Sequence, residues 1–380
     1  MLWLGLGKPG AVAPGFCSIW LCPQEFSDQR TNALLQQTAG GKSPKAVAEL
    51  KRAVVLEPAS AYRWANLGEA FFHTGDSQSA DYAFQHAVAA GPKNPAILLR
   101  AANFYFSVGD PSKMLTFLSS ILRDPGAIEY YAPVFLTYTR AGLPVRQILG
   151  TGIPEARLPA QAFLRYLIEG NDVQGAIETW KWISLKKLYD DTLIGEYLEF
   201  LIRNKQAEQA AQTWAALNAN VMPAYRRTNW VYNGGFETDP RPAPLDWHIE
   251  GSAEVQAERV GEAAHDGRWA LQLAFNGTEN VSYRGVGQQT VLGPGRWHVQ
   301  AFIKTDGITT DQGVGLRIGD VESEALTGTR DWTKVEATFS IAPGATEAVK
   351  LEIVRDASRK FDNKISGTAW IDSIEITPIR

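Results

Sequence analysis

Ala61 to Pro92 reads AYRWANLGEAFFHTGDSQSADYAFQHAVAAGP. With Ala61 as position 1, large residues fall at 4 (Trp64), 7 (Leu67), 11 (Phe71) and 24 (Phe84). Small residues fall at 8 (Gly68), 20 (Ala80) and 27 (Ala87), and Pro92 sits at 32. Small residues at 8 and 20 let two antiparallel helices approach closely, while the large ones fill the space between neighbouring pairs. Pro92 ends the second helix, because it cannot continue the hydrogen-bond ladder. One such pair cannot bury its apolar face alone, so the pattern predicts a stack.

The flanking sequence supplies that stack. A step of 34 residues back from Ala61 starts a copy at Ser27, with Ala46 at 20, Leu50 at 24 and Pro58 at 32. A step forward starts one at Pro95, where Gly109-Asp110 matches Gly75-Asp76. The phase then slips. Ile128–Gly142 reads as a first helix, but Leu143-Pro144 and the Thr151–Pro154 segment disrupt its partner. Two further copies start at Arg157 and Asp191, with Ala176 and Ala210 at position 20 and Trp180 and Trp214 at 24. These copies, about six helix pairs over 27–224, resemble the tetratricopeptide repeat. The resemblance implies a right-handed superhelix whose concave groove holds a protein or peptide partner. In that family positions 2, 5, 9, 12 and 13 of each first helix face the groove. They match Tyr62, Ala65, Glu69, Phe72 and His73, then Ala96, Leu99, Asn103, Phe106 and Ser107. The strip is aromatic and polar, which suits an extended peptide or a helix. Packing of the groove against the leader or the C-terminal domain is the alternative.

After Leu217 the pattern ends, and from Trp230 apolar residues alternate at period two, the mark of strands. Leu271, Leu273 and Phe275 share a face, as do Trp297, Val299, Ala301 and Ile303. Val314, Leu316 and Ile318, then Val349, Leu351 and Ile353, and finally Ile374 and Ile376 repeat the signal. About eight strands over 225–380 predict an antiparallel β-sandwich of the jelly-roll kind. The fold class is therefore multidomain α + β, a helical solenoid followed by a sandwich. Residues 1–26 read as an irregular leader, apolar but broken by Lys8 and Pro9. Its Cys17 and Cys22, the two cysteines of the chain, have no partner set for zinc and read as free thiols.

Asn233-Gly-Gly-Phe-Glu237, Trp247, Gly267-Arg-Trp-Ala-Leu271 and Trp370-Ile-Asp-Ser-Ile374 form an ordered series. It resembles the carbohydrate-binding modules with a galactose-binding-like jelly roll. The resemblance implies a poly- or oligosaccharide ligand and a structural calcium held by Glu237 and Asp372, with Asp266 in reach. For sugar recognition the polar side of one strand offers His298, Gln300, Phe302 and Lys304, and neighbouring strands add Arg317 and Glu352. Aromatic faces stack on sugar rings while amide and charged groups meet the hydroxyls. A solvated outer sheet face is the plain alternative for any one of these residues.

Composition narrows the class further. The net charge of −4 over 380 residues provides no basic stripe for nucleic acid. No run reaches the ~18 apolar residues of a transmembrane helix. The five histidines show no H-E-x-x-H spacing, and neither a G-x-S-x-G elbow nor a phosphate loop occurs. The sequence thus predicts a non-enzymatic binding or scaffold protein. Both resemblances together imply a periplasmic or cell-envelope setting, with a role in exopolysaccharide assembly. An assembly protein that binds no sugar, or an accessory subunit that brings an enzyme to polysaccharide, are the alternatives.

Overall fold

The computed structural model describes residues 31–379 apart from 37, 39–42, 262 and 345. The leader 1–26 with its two cysteines, and the start of the first repeat copy, lie outside the described residues. The chain forms two compact units, 1–188 and 189–380.

In the first unit, helices begin where a small polar residue can cap them. Ser43, Ser60, Asp76, Asn94 and Asp110 accept backbone N–H bonds, satisfying amides that the helix leaves without partners. They start α1 (Pro44–Leu56), α2 (Ala61–His73), α3 (Ser77–Ala90), α4 (Pro95–Ser107) and α5 (Pro111–Leu122). Gly75 and Gly109 make the turn inside successive hairpins with φ of 86° and 78°, a backbone region open to glycine. The small position 8 does what the pattern demands. A Cβ at Gly68 would lie 3.0 Å from the Phe84 ring at position 24. Phe84 in turn stacks on Phe104 of the next hairpin at 4.9 Å. The third copy departs at position 20, where Met114 is buried in place of alanine.

The broken copy is visible as predicted. A 3-10 turn, Pro125–Tyr130, leads into α6 (Tyr131–Arg140). Its partner is reduced to a helical turn at Val145–Gln147 and a π-turn at Ile148–Gly152. The Tyr138 hydroxyl donates to the Gly152 carbonyl at 3.0 Å and so ties the two pieces together. Regular helices resume with α7 (Arg157–Glu169) and α8 (Val173–Lys186).

The second unit opens with α9 (Asp191–Arg203) and α10 (Ala207–Asn218). Its strands are β1 (His248–Ile249), β2 (Val255–Val260), β3 (Ala270–Asn276), β4 (Tyr283–Leu292) and β5 (Gly295–Ile308). They continue as β6 (Gly315–Ile318), β7 (Val321–Glu322), β8 (Gly328–Ile341), β9 (Glu347–Arg355) and β10 (Ser366–Pro378). They form two antiparallel sheets, β1-β4-β9-β6-β7 and β2-β3-β10-β5-β8. The alternating residues read from the sequence meet in one core between them, among them Leu271, Trp297, Leu316, Leu351 and Ile374. Strands β2 and β4 lack clear alternation in sequence. In β4 the register shifts between Tyr283 and Val286, because a bulge places two residues against one.

The domain boundary drawn at 224/225 moves back. The helices α9 and α10 belong to the sandwich unit, and the contacts explain why. The Arg241 guanidinium lies over the Trp214 ring at 4.3 Å and donates to Asn218. Tyr232 packs edge-on against Trp214 at 5.0 Å, and its hydroxyl donates to Asn218 at 3.2 Å. Arg226 grips both oxygens of Glu208 at 2.9 Å. A segment starting at 228 loses these partners. It should melt roughly 5–10 °C below the segment 189–380, the loss expected for ~3 kcal/mol of aromatic packing. Equal melting temperatures by circular dichroism would place the boundary back at 224/225.

Beside this junction the buried Asp246 carboxylate accepts the Arg241 and Trp247 amides at 3.1 and 2.8 Å. Burial lifts it to about 6, against a usual 3.8. The folded value lies above the unfolded one, so its contribution is full near pH 4 and is lost as pH rises through about 6. Between pH 4 and 7 the wild type should lose ~2–3 kcal/mol more than Asp246→Asn. Parallel denaturation curves of the two proteins at both pH values would show the group is not strained.

Candidate functional site

The two sheets turn different residues outward. On β5 the core side carries Ala301 and Ile303, so His298, Gln300, Phe302 and Lys304 line the outer face of β2-β3-β10-β5-β8. Arg317 on β6 and Glu352 on β9 are cross-strand partners in the other sheet. The predicted six-residue strip is therefore corrected. Four residues share one face, while Arg317 and Glu352 lie on the opposite side of the sandwich. Alternation along a strand gives the face within a sheet, but sheet membership depends on pairing with distant strands.

The β5 face holds more aromatic surface than the sequence reading assigned to it. Trp370 on β10 stands directly opposite both Lys304 and Gln272. It is also a diagonal neighbour of Phe302, within reach on one face. His265, from the loop before β3, stacks on Phe302 at 3.7 Å and meets Trp332 edge-on at 5.6 Å. Phe302 is thus covered on one side, and the exposed ring of the pair is the imidazole. Trp332, Trp370 and His265 were missed. The signal for Trp370 was present, since Ala369 and Ile371 flank it at core positions. His265 had no periodic signal, because a loop brings it there. Polar groups border the rings in hydrogen-bonded and ionic pairs. Lys304 meets Asp331 at 3.5 Å, the Gln300 amide donates to Glu375 at 3.0 Å, and His298 lies 3.1 Å from Glu336.

The opposite face is charged and carries no such platform. Arg284 donates to Asp356 at 2.5 Å, which holds that carboxyl below the usual carboxylate range. Arg317 pairs with Glu322 and lies 3.8 Å from Asp356, and Lys350 meets Glu352 at 2.7 Å. At one end of this sheet, α9 and residues 241–248 enclose a cleft of about 400 Å³ lined by Glu196, Glu199, Pro242 and His248.

The residues expected to hold calcium do converge, on one loop. Glu237 accepts the Arg268 and Trp269 amides at 2.8 and 3.1 Å. Asp372 accepts the His265 and Asp266 amides at 2.8 and 3.0 Å, and the Ser373 amide at 2.5 Å. Burial pushes the Asp372 carboxyl up, against these three donors that pull it down. The exposed Asp266 accepts the amide of its neighbour Gly267. A calcium shell is built of six to eight oxygens, whereas the groups aimed at these carboxylates are N–H donors. Among the described residues no three Asp, Glu, His or Cys side chains are grouped to hold a metal. The set fits a clasp that seats the 263–269 loop, and with it His265, better than an ion site. The Asn233–Glu237 start is part of the same clasp. A side chain on Gly234 would run into the Ile374 carbonyl, and the Gly234 carbonyl accepts the Ile374 amide at 2.9 Å.

In the helical unit Tyr62, His73, Asn103 and Phe106 are exposed, while Glu69 and Phe72 are half-buried. Ala65 and Leu99, read as groove residues, are buried instead. Arg100 donates to Glu69 at 2.6 Å and to Asn66 at 2.7 Å, and Asn66 donates to Asn32 at 3.1 Å. Asn32, Asn66 and Arg100 recur every 34 residues and form a polar ladder that the sequence reading passed over. The Tyr62 hydroxyl accepts from Asn94, and Phe72 meets Phe104 edge-on at 5.6 Å.

No protein-family model matches the chain, and no curated protein does. Solved structures similar to it include carbohydrate-binding modules, matched by the C-terminal sandwich region. One is the CBM22-1 xylan-binding domain from Paenibacillus barcinonensis Xyn10C, at 15% identity and TM-score 0.29, covering 39% of this chain and 92% of that one. Another is a family 16 module, at 21% identity and TM-score 0.27, covering 39% and 99%. A third is a CBM4 structure, at 15% identity and TM-score 0.28, covering 39% and 99%.

The clasp makes a direct prediction. Glu237→Ala leaves two amides without partners and should destabilise the sandwich unit by about 1–3 kcal/mol. A chelator should leave the melting curves of wild type and variant unchanged. A wild-type melting temperature that rises with added calcium would restore the ion.

Proposed function

We propose that the chain is a non-enzymatic binding protein whose sandwich binds carbohydrate on the outer face of β5 and β10. The observation that carries this reading is the platform of Trp370, Trp332 and the His265–Phe302 stack, which lies outside the core. Rings at a surface offer flat apolar faces to the C–H side of a sugar, and Gln272, Gln300 and Lys304 border them with hydrogen-bonding groups. The face mixes cations and anions, Lys304 beside Asp331 and Glu375 beside the Gln300 amide, with no cluster of one sign, so the reading favours a neutral glycan over a charged one. The helical unit is of the tetratricopeptide type in this proposal. Its ladder and the exposed Tyr62 and Phe106 serve a protein or peptide partner. Together they make a scaffold that links a protein assembly to a polysaccharide, in keeping with a bacterial envelope role in exopolysaccharide production.

A glycan array followed by calorimetry on the intact chain tests the sugar reading. Binding of a neutral oligosaccharide is expected, with Trp370→Ala weakening it about tenfold, as ~1.5 kcal/mol of aromatic contact implies. His265→Ala should weaken it as well, while Arg317→Ala on the opposite face leaves it unchanged. Failure of every glycan to bind, or full binding by Trp370→Ala, sinks the proposal.

A further inference from the structure

The loop between β9 and β10 carries Arg359-Lys360-Phe361-Asp362-Asn363-Lys364. Phe361 is fully exposed, whereas every other phenylalanine, tyrosine and tryptophan ring described in 225–379 is buried or half-buried. Arg359, Lys360 and Lys364 are exposed beside it, with Asp362 as the single acid of the six. This local excess of positive charge stands in a chain whose net charge is −4. Lys360 also reaches Asp311 at 3.4 Å.

The base of the loop is bolted down. Arg355 is wholly buried, and its guanidinium donates to the Asn280 and Thr310 side chains at 3.0 Å and to the Asn363 carbonyl at 3.4 Å. The Ser358 amide donates to Asn280 at 2.9 Å, and the Asn280 amide group donates back to the Ser358 carbonyl at 2.8 Å. The Ser358 hydroxyl donates to Asp311 at 2.5 Å, and Thr309 donates to the Lys364 carbonyl at 3.1 Å. A desolvated cation and two side-chain clasps thus hold both ends of a short loop, yet its tip presents a bare phenyl ring to solvent. Core packing accounts for none of this arrangement.

We propose that this tip docks the sandwich onto an anionic lipid surface. An apolar ring ringed by cations has the chemistry of the bilayer interface. The ring enters the headgroup boundary while lysine and arginine meet the negative surface potential. One ring and three cations make a weak, salt-sensitive contact, of the kind that adds to a second tether. The site is separate from the glycan face and does not rest on it.

Co-sedimentation of the intact protein with vesicles tests the proposal. Binding to vesicles of equal parts phosphatidylglycerol and phosphatidylcholine should exceed binding to pure phosphatidylcholine, and 0.5 M salt should abolish the difference, as screening dictates. Phe361→Ala should lower the partition coefficient about tenfold, the effect of withdrawing one large apolar side chain. Lys360→Glu should lower it further. Phe361→Ala touches none of the bonds at the loop base, so its melting temperature should stay at the wild-type value, whereas Lys360→Glu loses the pair with Asp311 and is compared at a temperature where both proteins are folded. Anionic-vesicle binding that persists in Phe361→Ala/Lys360→Glu would assign it to another part of the chain and overturn the proposal. Binding to a soluble polyanion without binding to vesicles would overturn it in favour of an acidic polymer.

Discussion

A helix hairpin and a five-stranded sheet share one constraint. Each has a single apolar face that it cannot hide by itself. Every major contact in this protein answers that need. The hairpins of the first unit do so against one another, with Gly68 lying under the Phe84 ring and Phe84 stacked on Phe104. The two sheets do so face to face, through one core that reaches from Leu271 to Ile374. Within its own unit the hairpin α9–α10 meets the same need against the sandwich. Trp214 occupies the repeat's position 24, yet its ring receives Arg241 and Tyr232 from the sandwich.

The sandwich then has two outer faces of unlike character. One is a mesh of ion pairs among Arg284, Asp356, Arg317 and Glu322. The other carries tryptophan and histidine rings among polar groups of both charge signs. The amide clasp at Glu237 and Asp372 connects fold to site, because the loop that it seats brings His265 over Phe302. The residues that the resemblance offers as metal ligands thus also seat the loop that carries this ring.

Much of this was legible in the residues themselves. Helical period, small positions 8 and 20, and caps at Ser60, Asp76, Asn94 and Asp110 are local features, and local physics places the helices. Alternation in β3, β5, β6, β9 and β10 marks inward and outward sides, so the four outward residues of β5 were correctly placed on one face. What escaped was whatever depends on pairing across long separations. Arg317 and Glu352 are outward on their own strands, but hydrogen bonding assigns those strands to the other sheet. The bulged β4 and the charged β2 lose their period to a register shift and to solvent exposure.

The sequence by itself determined the two architectures, their order along the chain and the side of each strand that meets the core, because those follow from backbone hydrogen bonding and the spacing of apolar side chains. Tertiary structure alone decided three things: that α9–α10 belongs with the sandwich, that Phe302 lies beneath an imidazole, and that the glycan candidate splits into two faces. Each depends on which distant segments come within van der Waals or hydrogen-bond distance, and no local periodicity encodes that choice.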